Sequence, residues 1–362
     1  MVEPLMRALE NLDYPIERLE ILMICEAVDP LTISAVQKNI LPPFKLIIVP
    51  KGLPQTKPRA LNYAMLEAKG DLVTIYDAED TPHVSQLKCA ARVFGDDASI
   101  GALQAPLDYM NAHQNWLTRQ FALEYSALFH VWIPFLVSAN LPFPLGGTSN
   151  HIRRIALDDI GGYWDAHNVT EDADLSFRLS AKAWRFGYIN LPTLEEAVSS
   201  WRGWHFQRFR WMKGYMQTWL VHMRAPFLPW GRQGLKRFFI LQLTVGLTLV
   251  NSMFYLPVLL FFIWAVGTQY FQGVYAHIPI IFMFTFGFSY FAGILIGIIG
   301  ALRAGQPKLI LSALAMPLYW LALFWPTVHA LWELGTQPFH WHKTDHGVTG
   351  RPAPFTLSLI HI

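Results

Sequence analysis

Four short segments carry side chains with chemistry in them. In IYDAEDTP, Asp77 and Glu79 stand two residues apart, with Asp80 beside them. Carboxylates at i and i+2 where a strand ends can both reach a divalent cation if the chain bends there. Hard oxygen ligands suit Mg2+ or Mn2+, ions that commonly hold a diphosphate as well. A solvated acidic turn before Pro82 has the same residues, and a motif this short is weak by itself. In NVTEDADLSFRL, Thr170 can cap a helix whose first turn holds Glu171 and Asp172, where acidic residues favour the helix dipole. The chemical reading makes one of these carboxylates a general base that deprotonates an incoming hydroxyl. QRFRWMKG offers Gln207, Arg208, Arg210 and Trp211. Arginine grips phosphate oxygens bidentately and an indole face stacks on a pyranose ring, so the set suits an anion joined to a sugar. An interfacial helix whose cations meet lipid headgroups would read the same way. GGTSN, Gly146–Asn150, is either an ordinary turn or a place where glycine lets the backbone approach a ligand.

These segments need elements to position them. VEPLMRALENL has apolar residues at helical spacing. Leu19–Cys25 is a short apolar run ending near Glu26 and Asp29, and Thr32–Ile40 can be a helix. Phe44–Val49 reads as a second strand, RALNYAMLEAKG as a helix closed by Gly70, and DLVTIYD as a third strand. Strands alternating with helices of this length imply a parallel α/β sheet, whose ligands bind outside the carboxyl ends of the strands. Glu26, Asp29, Asp77, Glu79 and Asp80 all fall there. Helices are expected over Trp116–Trp132, Asp172–Phe186 and Trp201–Met223, the last with a composition suited to a membrane interface.

Composition sets the broad class. Charged residues make up 15% of the 362 and mean hydropathy is +0.27, against about 25% charged in ordinary soluble domains. Only six of the charges lie after Arg237, and none between Phe238 and Leu302. A run of about 18 apolar residues already suggests a membrane span. A second uncharged run covers Leu309–Trp332. The chain therefore divides into a water-facing domain and an apolar region. Ala276–Ala301 and Leu309–Trp332 each suit one span. Gly234–Tyr275 is one span plus an interfacial piece, or a hairpin turning near Asn251–Pro257, and four spans are favoured over three. Between Arg202 and Arg237 there are eight Lys or Arg and no Asp or Glu, as on the cytoplasmic side of a span. Met1–Glu20 is acidic and lacks the apolar core of a signal peptide. Two cysteines cannot build a disulfide framework, and a net charge of +2 argues against a nucleic-acid partner.

The order of the segments is more specific than any one of them. A carboxylate pair, a glycine loop, TED, then QRFRW ahead of apolar helices resembles the processive family-2 glycosyltransferases of the cellulose, hyaluronan and poly-N-acetylglucosamine synthase type, roughly over Val2–Gly347. The resemblance implies a GT-A-like, Rossmann-like catalytic domain over 1–200, interfacial helices over 201–237, a transmembrane helical region over 238–333 and a juxtamembrane tail over 334–362. It implies an integral protein of the plasma or inner membrane, with the catalytic domain in the cytoplasm. Asp77 and Glu79 match the metal- and diphosphate-holding DxD motif, with Glu in the second position and Asp80 as a substitute. Lys57 matches a basic residue near the donor nucleotide, and Glu26 and Asp29 an acidic pair at its base and ribose. Asp172, beside Glu171, matches the general base. Gln207, Arg208 and Arg210 match diphosphate-binding residues, and Trp211 a residue that stacks on the acceptor sugar. The implied reaction is an inverting, Mg2+- or Mn2+-assisted displacement from a UDP-sugar onto a growing glycan. Glucose is favoured because YDAED and TSNHIRR look most like glucan-type members.

Two features depart from that pattern. The family domain opens with a strand that helps bind the nucleotide, and this chain starts after it. The expected sheet thus lacks a central element, pointing to a truncated chain or a partner subunit that supplies the missing part. The tail QPFHWHKTDHG, with His340, His342, Lys343, Thr344 and His346, reads as a loop closing over the donor, as a surface segment, or more weakly as a zinc site. Alternatives to a polymer synthase are a non-processive enzyme adding one sugar to a lipid carrier, and a non-catalytic membrane scaffold.

Overall fold

The computed structural model describes residues 2–228, 231–271, 280–337 and 356–361. The N-terminal part alternates α1 (Val2–Glu10), β1 (Glu20–Glu26), α2 (Pro30–Asn39), β2 (Phe44–Val49), α3 (Lys57–Ala64) and β3 (Leu72–Asp77). It continues through β4 (Thr81–Pro82), α4 (Gln86–Asp96), β5 (Ile100–Gln104), β6 (Leu107–Tyr109), α5 (Trp116–Ala127), α6 (Ile133–Ser138), β7 (Asn150–Arg153), α7 (Arg154–Asp159), α8 (Glu171–Ala181), β8 (Arg185–Tyr188) and β9 (Thr193–Glu195). Local chemistry sets several boundaries. Asp29 accepts from the Thr32 amide at 3.2 Å and Pro30 follows, so α2 starts there. Asn115 and Thr118 form a reciprocal capping box that starts α5. α3 ends at Ala64, short of Gly70, because the chain enters turns at Met65.

Among the described residues a seven-stranded sheet runs β2-β1-β10-β3-β7-β5-β8, and β4, β9 and β6 form a small second sheet. Residues of β1 alternate between two cores. Leu22 and Ile24 pack with Val73, Ile75 and Leu61, while Ile21, Met23 and Cys25 pack with Leu5, Leu9 and Val36. A sheet covered on both faces is the α/β arrangement expected. It is nonetheless mixed. β1 and β2 are parallel, as are β5 and β8, but β7 runs antiparallel to β3 and β5. The reason is local. The Ser149 amide donates to the Ile75 carbonyl, so the chain enters β7 beside the carboxyl end of β3 and has to run back.

The expected gap in the sheet is filled. Residues Thr356–His361 form β10, antiparallel to both β1 and β3, with Thr356 opposite Cys25 and Leu357 opposite Asp77. These residues belong to the catalytic sheet and not to a juxtamembrane tail. The histidine-rich stretch His340–His346 lies outside the described residues.

The apolar region consists of α9 (Trp201–His222), α10 (Arg232–Leu241), α11 (Leu247–Phe271), α12 (Ile280–Arg303), α13 (Ile310–Ala313), α14 (Met316–Ala322) and α15 (Phe324–Thr336). A π-turn at Gln242–Gly246 joins α10 to α11, and another at Leu128–Trp132 joins α5 to α6. Two helices among the described residues are long and apolar enough to cross a membrane, Trp116–Ser138 and Gly234–Ala265. A third counts if the pair Pro307–Ala313 and Met316–Thr336, bent by 65°, is one span.

The hairpin at Asn251–Pro257 does not form. Pro257 lies inside α11, which runs on without a turn, so the four-span expectation loses its basis. α12 returns to the catalytic domain, where Arg303 donates to the His130 carbonyl at 3.1 Å. The bent pair stays against α9 at both ends. Tyr319 bonds Arg208, and Glu333 is ion-paired with buried Lys213 at 2.7 Å.

α12 docks closely on α5. A Cβ on Gly300 would fall 2.6 Å from the backbone nitrogen of Ala127 and the carbonyl carbon of Ser126, which cannot move aside as a flexible side chain can. Gly300→Ala is expected to destabilise the protein by about 1–3 kcal/mol through overpacking. Gly287→Ala, where a Cβ meets nothing within 4 Å, serves as the control. Thermal unfolding of the detergent-solubilised variants checks the contrast.

Candidate active site

A cavity of about 470 Å3 opens at the carboxyl end of β3. Its polar end is lined by Lys57, Asp77, Glu79, Glu171, Asp172, Glu195 and Arg210. The turn after β3 is held by Asp80, which accepts from the Asp77 amide at 2.7 Å and from the Thr148 hydroxyl. Asp80 does not line the cavity, so it braces the motif and does not replace Glu79. The glycine loop is laced in the same way. The Gly146 amide donates to Gln104 at 2.8 Å, Asn150 donates to the Gly146 carbonyl at 2.6 Å, and the Leu145 amide donates to Ser176 of α8 at 2.8 Å. This seats Gly147 between the carboxylates. A Cβ there would lie 3.4 Å from Asp172 Oδ2 and 3.7 Å from Lys57 Nζ, space that the glycine leaves open. Lys57 Nζ donates to the Gly147 carbonyl at 2.6 Å and is ion-paired with Asp77. Burial works against the lysine's charge, but Asp77, Glu171 and Asp172 more than restore it.

α8 presents the candidate base from its first turn. Asp172 Oδ1 accepts from the Ala173 amide at 2.8 Å, leaving Oδ2 on the Gly147 side. Burial raises the Asp172 carboxyl, and burial with the Asp172 charge beside it raises Glu171, so the adjacent pair favours sharing a proton. A base acts only when ionised, so turnover should be lost as pH falls, at a pH above the ordinary carboxylate range because burial raises Asp172. A pH–rate profile checks this.

The segment before α8 is tied to α9. Gln217 accepts from the Val169 amide at 3.1 Å, and Asn168 bonds both Thr218 and the Thr170 amide. On α9, Gln207, Arg208, Arg210, Trp211, Met212 and Tyr215 line the cavity. Gln207 Oε1 is buried with no hydrogen-bond partner among the described residues, open to a ligand donor. Burial brings Arg210 down to about 10, with Glu171, Glu79 and Asp77 acting in the opposite sense. It is thus the cation that faces the carboxylate cluster.

Arg208 differs from the expectation. It is 2% exposed and pairs through both terminal nitrogens with Glu124, at 2.7 Å for Nη1. Its guanidinium also lies 4.5 Å from the ring centroids of Phe121 and of Trp211. Its terminal nitrogens donate within the protein, while Nε has no hydrogen-bond partner among the described residues and the side chain borders the cavity.

The acidic pair expected at the nucleotide also changes. Both oxygens of Asp29 accept from Thr32, making it a helix cap. Glu26 is buried, with Arg59 at 3.9 Å. Neither lines the cavity. Sequence reasoning missed Glu195, which enters the polar end from β9, and Glu124 on α5. Glu124 did leave a signal, as the single charge between Arg119 and His130 in an apolar helical run. The far end of the cavity was missed too. There Leu128, Phe129, Trp132, Ile133, Phe143, Leu243 and Leu323 make an apolar wall, in which both π-turns take part. π-turns often mark functional positions in helices.

Residues 72–334 match the profile of Glycosyl transferase family group 2, which is most of the chain. The chain belongs to that family. Similar curated proteins are the probable glycosyltransferase YdaM of Bacillus subtilis, 28% identical over 59% of this chain and 52% of its own length, and a beta-monoglucosyldiacylglycerol synthase of Synechocystis sp., 28% identical over 62% of this chain and 47% of its own. The chain spans about half the length of these relatives. Among solved structures it is similar to the mannosyltransferase PcManGT from Pyrobaculum calidifontis in complex with GDP-Man and Mn2+, with a TM-score of 0.58 and 20% identity, over 92% of this chain and 83% of that one. That likeness shows the fold. The family membership agrees with the enzyme class expected from TED and QRFRW. The polymer-forming subtype does not follow from these relatives.

The residues fit a divalent cation of one kind. Among the described residues no three His, Cys, Asp or Glu stand close enough to cage an ion. Asp77 and Glu79 alone are the donor set used by a hard cation that also relies on phosphate oxygens and water.

Proposed function

We propose that this family member transfers a hexose from a nucleoside-diphosphate sugar to a lipid hydroxyl, in a membrane-bound, inverting reaction. The observation that carries it is the two-ended cavity. Carboxylates, Lys57 and Arg210 make one end, and apolar side chains from the two membrane-length helices make the other. A sugar diphosphate suits the first end and an acyl or isoprenoid chain the second.

In this reading Asp172 Oδ2 takes the proton from the acceptor hydroxyl as that oxygen attacks the anomeric carbon. The bond from that carbon to the diphosphate breaks, and its electron pair leaves with the nucleotide. Arg210 and Lys57 face the departing charge, and preformed cations in a water-poor site stabilise it strongly. Asp77 and Glu79 would hold Mg2+ or Mn2+, which supplies further charge neutralisation on the diphosphate. The apolar wall keeps water from competing with the acceptor.

The polymer reading keeps one specific support, the QRFRW segment. The ion pair of Arg208 with Glu124 leaves Gln207, Arg210 and Trp211 of that segment on the cavity. The experiment is release of UDP by membranes containing the protein, with Mn2+, across UDP-glucose, UDP-N-acetylglucosamine and UDP-galactose. Added dioleoylglycerol should stimulate release and yield a glycolipid. An alkali-insoluble polymer without glycolipid would instead establish the polymer reading.

A further inference from the structure

The polar groups around Arg208 form a linked set that the reaction above does not use. Glu124 of α5 meets Arg208 through both carboxylate oxygens, and the Tyr319 hydroxyl of α14 donates to Glu124 Oε2 at 2.9 Å. Arg208 Nη2 and the Trp204 indole N–H each donate to the Tyr319 oxygen at 2.8 Å. The set thus joins three elements that are far apart in the chain, a helix of the catalytic domain, the motif helix and the bent pair. Trp211 lines the cavity next to it, as Glu124 and Arg208 also do. Its ring lies against the Arg208 guanidinium on one side and meets Phe121 and Tyr125 at 5.9 and 6.0 Å. A planar guanidinium pinned by a bidentate carboxylate makes a rigid backing for an indole.

We infer that Glu124, Arg208 and Tyr319 are positioning residues that hold the Trp211 ring as a wall for the acceptor. Three arguments support this. Arg208 has donated its terminal nitrogens inside the protein, whereas Arg210 faces Glu171, Glu79 and Asp77. Trp211 lines the same cavity as the carboxylates and the apolar wall, and its ring neighbours Phe121 and Tyr125 are aromatic. The bent pair, by supplying Tyr319, becomes part of acceptor placement and not merely a membrane anchor. The inference rests on the proposed transfer reaction for its acceptor half only.

The test compares Tyr319→Phe, Glu124→Gln and Arg210→Met in the full chain. Tyr319→Phe removes one hydroxyl and keeps the ring, so it guards against misfolding of the Glu124 variant. UDP affinity with Mn2+ is measured by calorimetry, and KM and kcat for dioleoylglycerol by UDP release. Arg210→Met should weaken UDP binding by about tenfold or more, the loss of a charge-assisted contact. Tyr319→Phe and Glu124→Gln should leave UDP affinity within about twofold and raise the acceptor KM by about five- to tenfold, the worth of one hydrogen bond. The inference is overturned if either variant weakens UDP as Arg210→Met does, or leaves the acceptor KM unchanged. The UDP comparison needs no turnover. If no donor is turned over by the wild type, the transfer reading fails, while equal UDP loss in Tyr319→Phe and Arg210→Met still overturns the positioning role and a clear difference between them still supports it.

Discussion

Asp172→Asn should abolish transfer while leaving UDP affinity where it was. The amide keeps the shape and keeps an oxygen for the Ala173 amide, but has no basic lone pair for the acceptor proton. General bases contribute about 10^2–10^4 in rate, so the loss should fall in that range. The neighbouring carboxyl gives the internal comparison. Burial and the Asp172 charge raise the Glu171 carboxyl and so favour its protonated form. Glu171→Gln mimics that form and should keep most of the activity. UDP release and calorimetry on the two variants check the pair. Near-normal turnover in Asp172→Asn would sink the assignment of the base.

Gly214→Ala is the second large effect, and its cause is steric. A Cβ at this point of α9 would stand 2.4 Å from Thr170 Cγ2 and 2.7 Å from the Thr170 backbone nitrogen. Thr170 caps α8, and Asp172 follows two residues later. The side chain of Thr170 can rotate, but its backbone nitrogen is held by Asn168 at 3.0 Å. The two helices therefore have to separate, and the general base moves away from Arg210 and Gln207, which ride on α9. Misplacement by about 1 Å costs on the order of a hundredfold in rate. The expected result is a kcat loss of that order with the fold retained. Full activity in Gly214→Ala would mean that the approach of α9 to the TED turn does not set the geometry.

The two lines of argument meet at α9, and its pattern shows what could be read beforehand. Gln207, Arg210, Trp211 and Gly214 recur at i, i+3, i+4 and i+7, one face of a helix. Arg208 stands about 100° away from Gln207, on the face of Trp204 and Met212. The separation of the two arginines was thus present in the spacing, although motif resemblance grouped them. The carboxylate pair after β3 and the TED turn were legible because strand ends and helix starts leave short-range marks. Asp29 was not, since an acidic residue before a proline-led helix serves equally as a cap or as a ligand. The apolar end of the cavity was hidden for another reason. Leu128, Phe143, Leu243 and Leu323 come from four separate segments, and hydropathy alone does not tell a wall from a lipid-facing surface. Pro257 looked like a turn, but a long apolar helix tolerates proline when neighbouring groups satisfy the freed carbonyl.

The strand formed by Thr356–His361 ties folding to the order of synthesis. It pairs with residues some three hundred positions earlier, so the sheet has a very high contact order at its centre. Until Thr356–His361 have been made, β1 and β3 face each other across a vacant lane, each with an unpaired edge. Such edges recruit any extended chain nearby. The apolar helices are made before the lane is closed, so they precede completion of the sheet. The strand that carries Asp77 therefore gains its β10 neighbour only after the helices around the cavity have been synthesised.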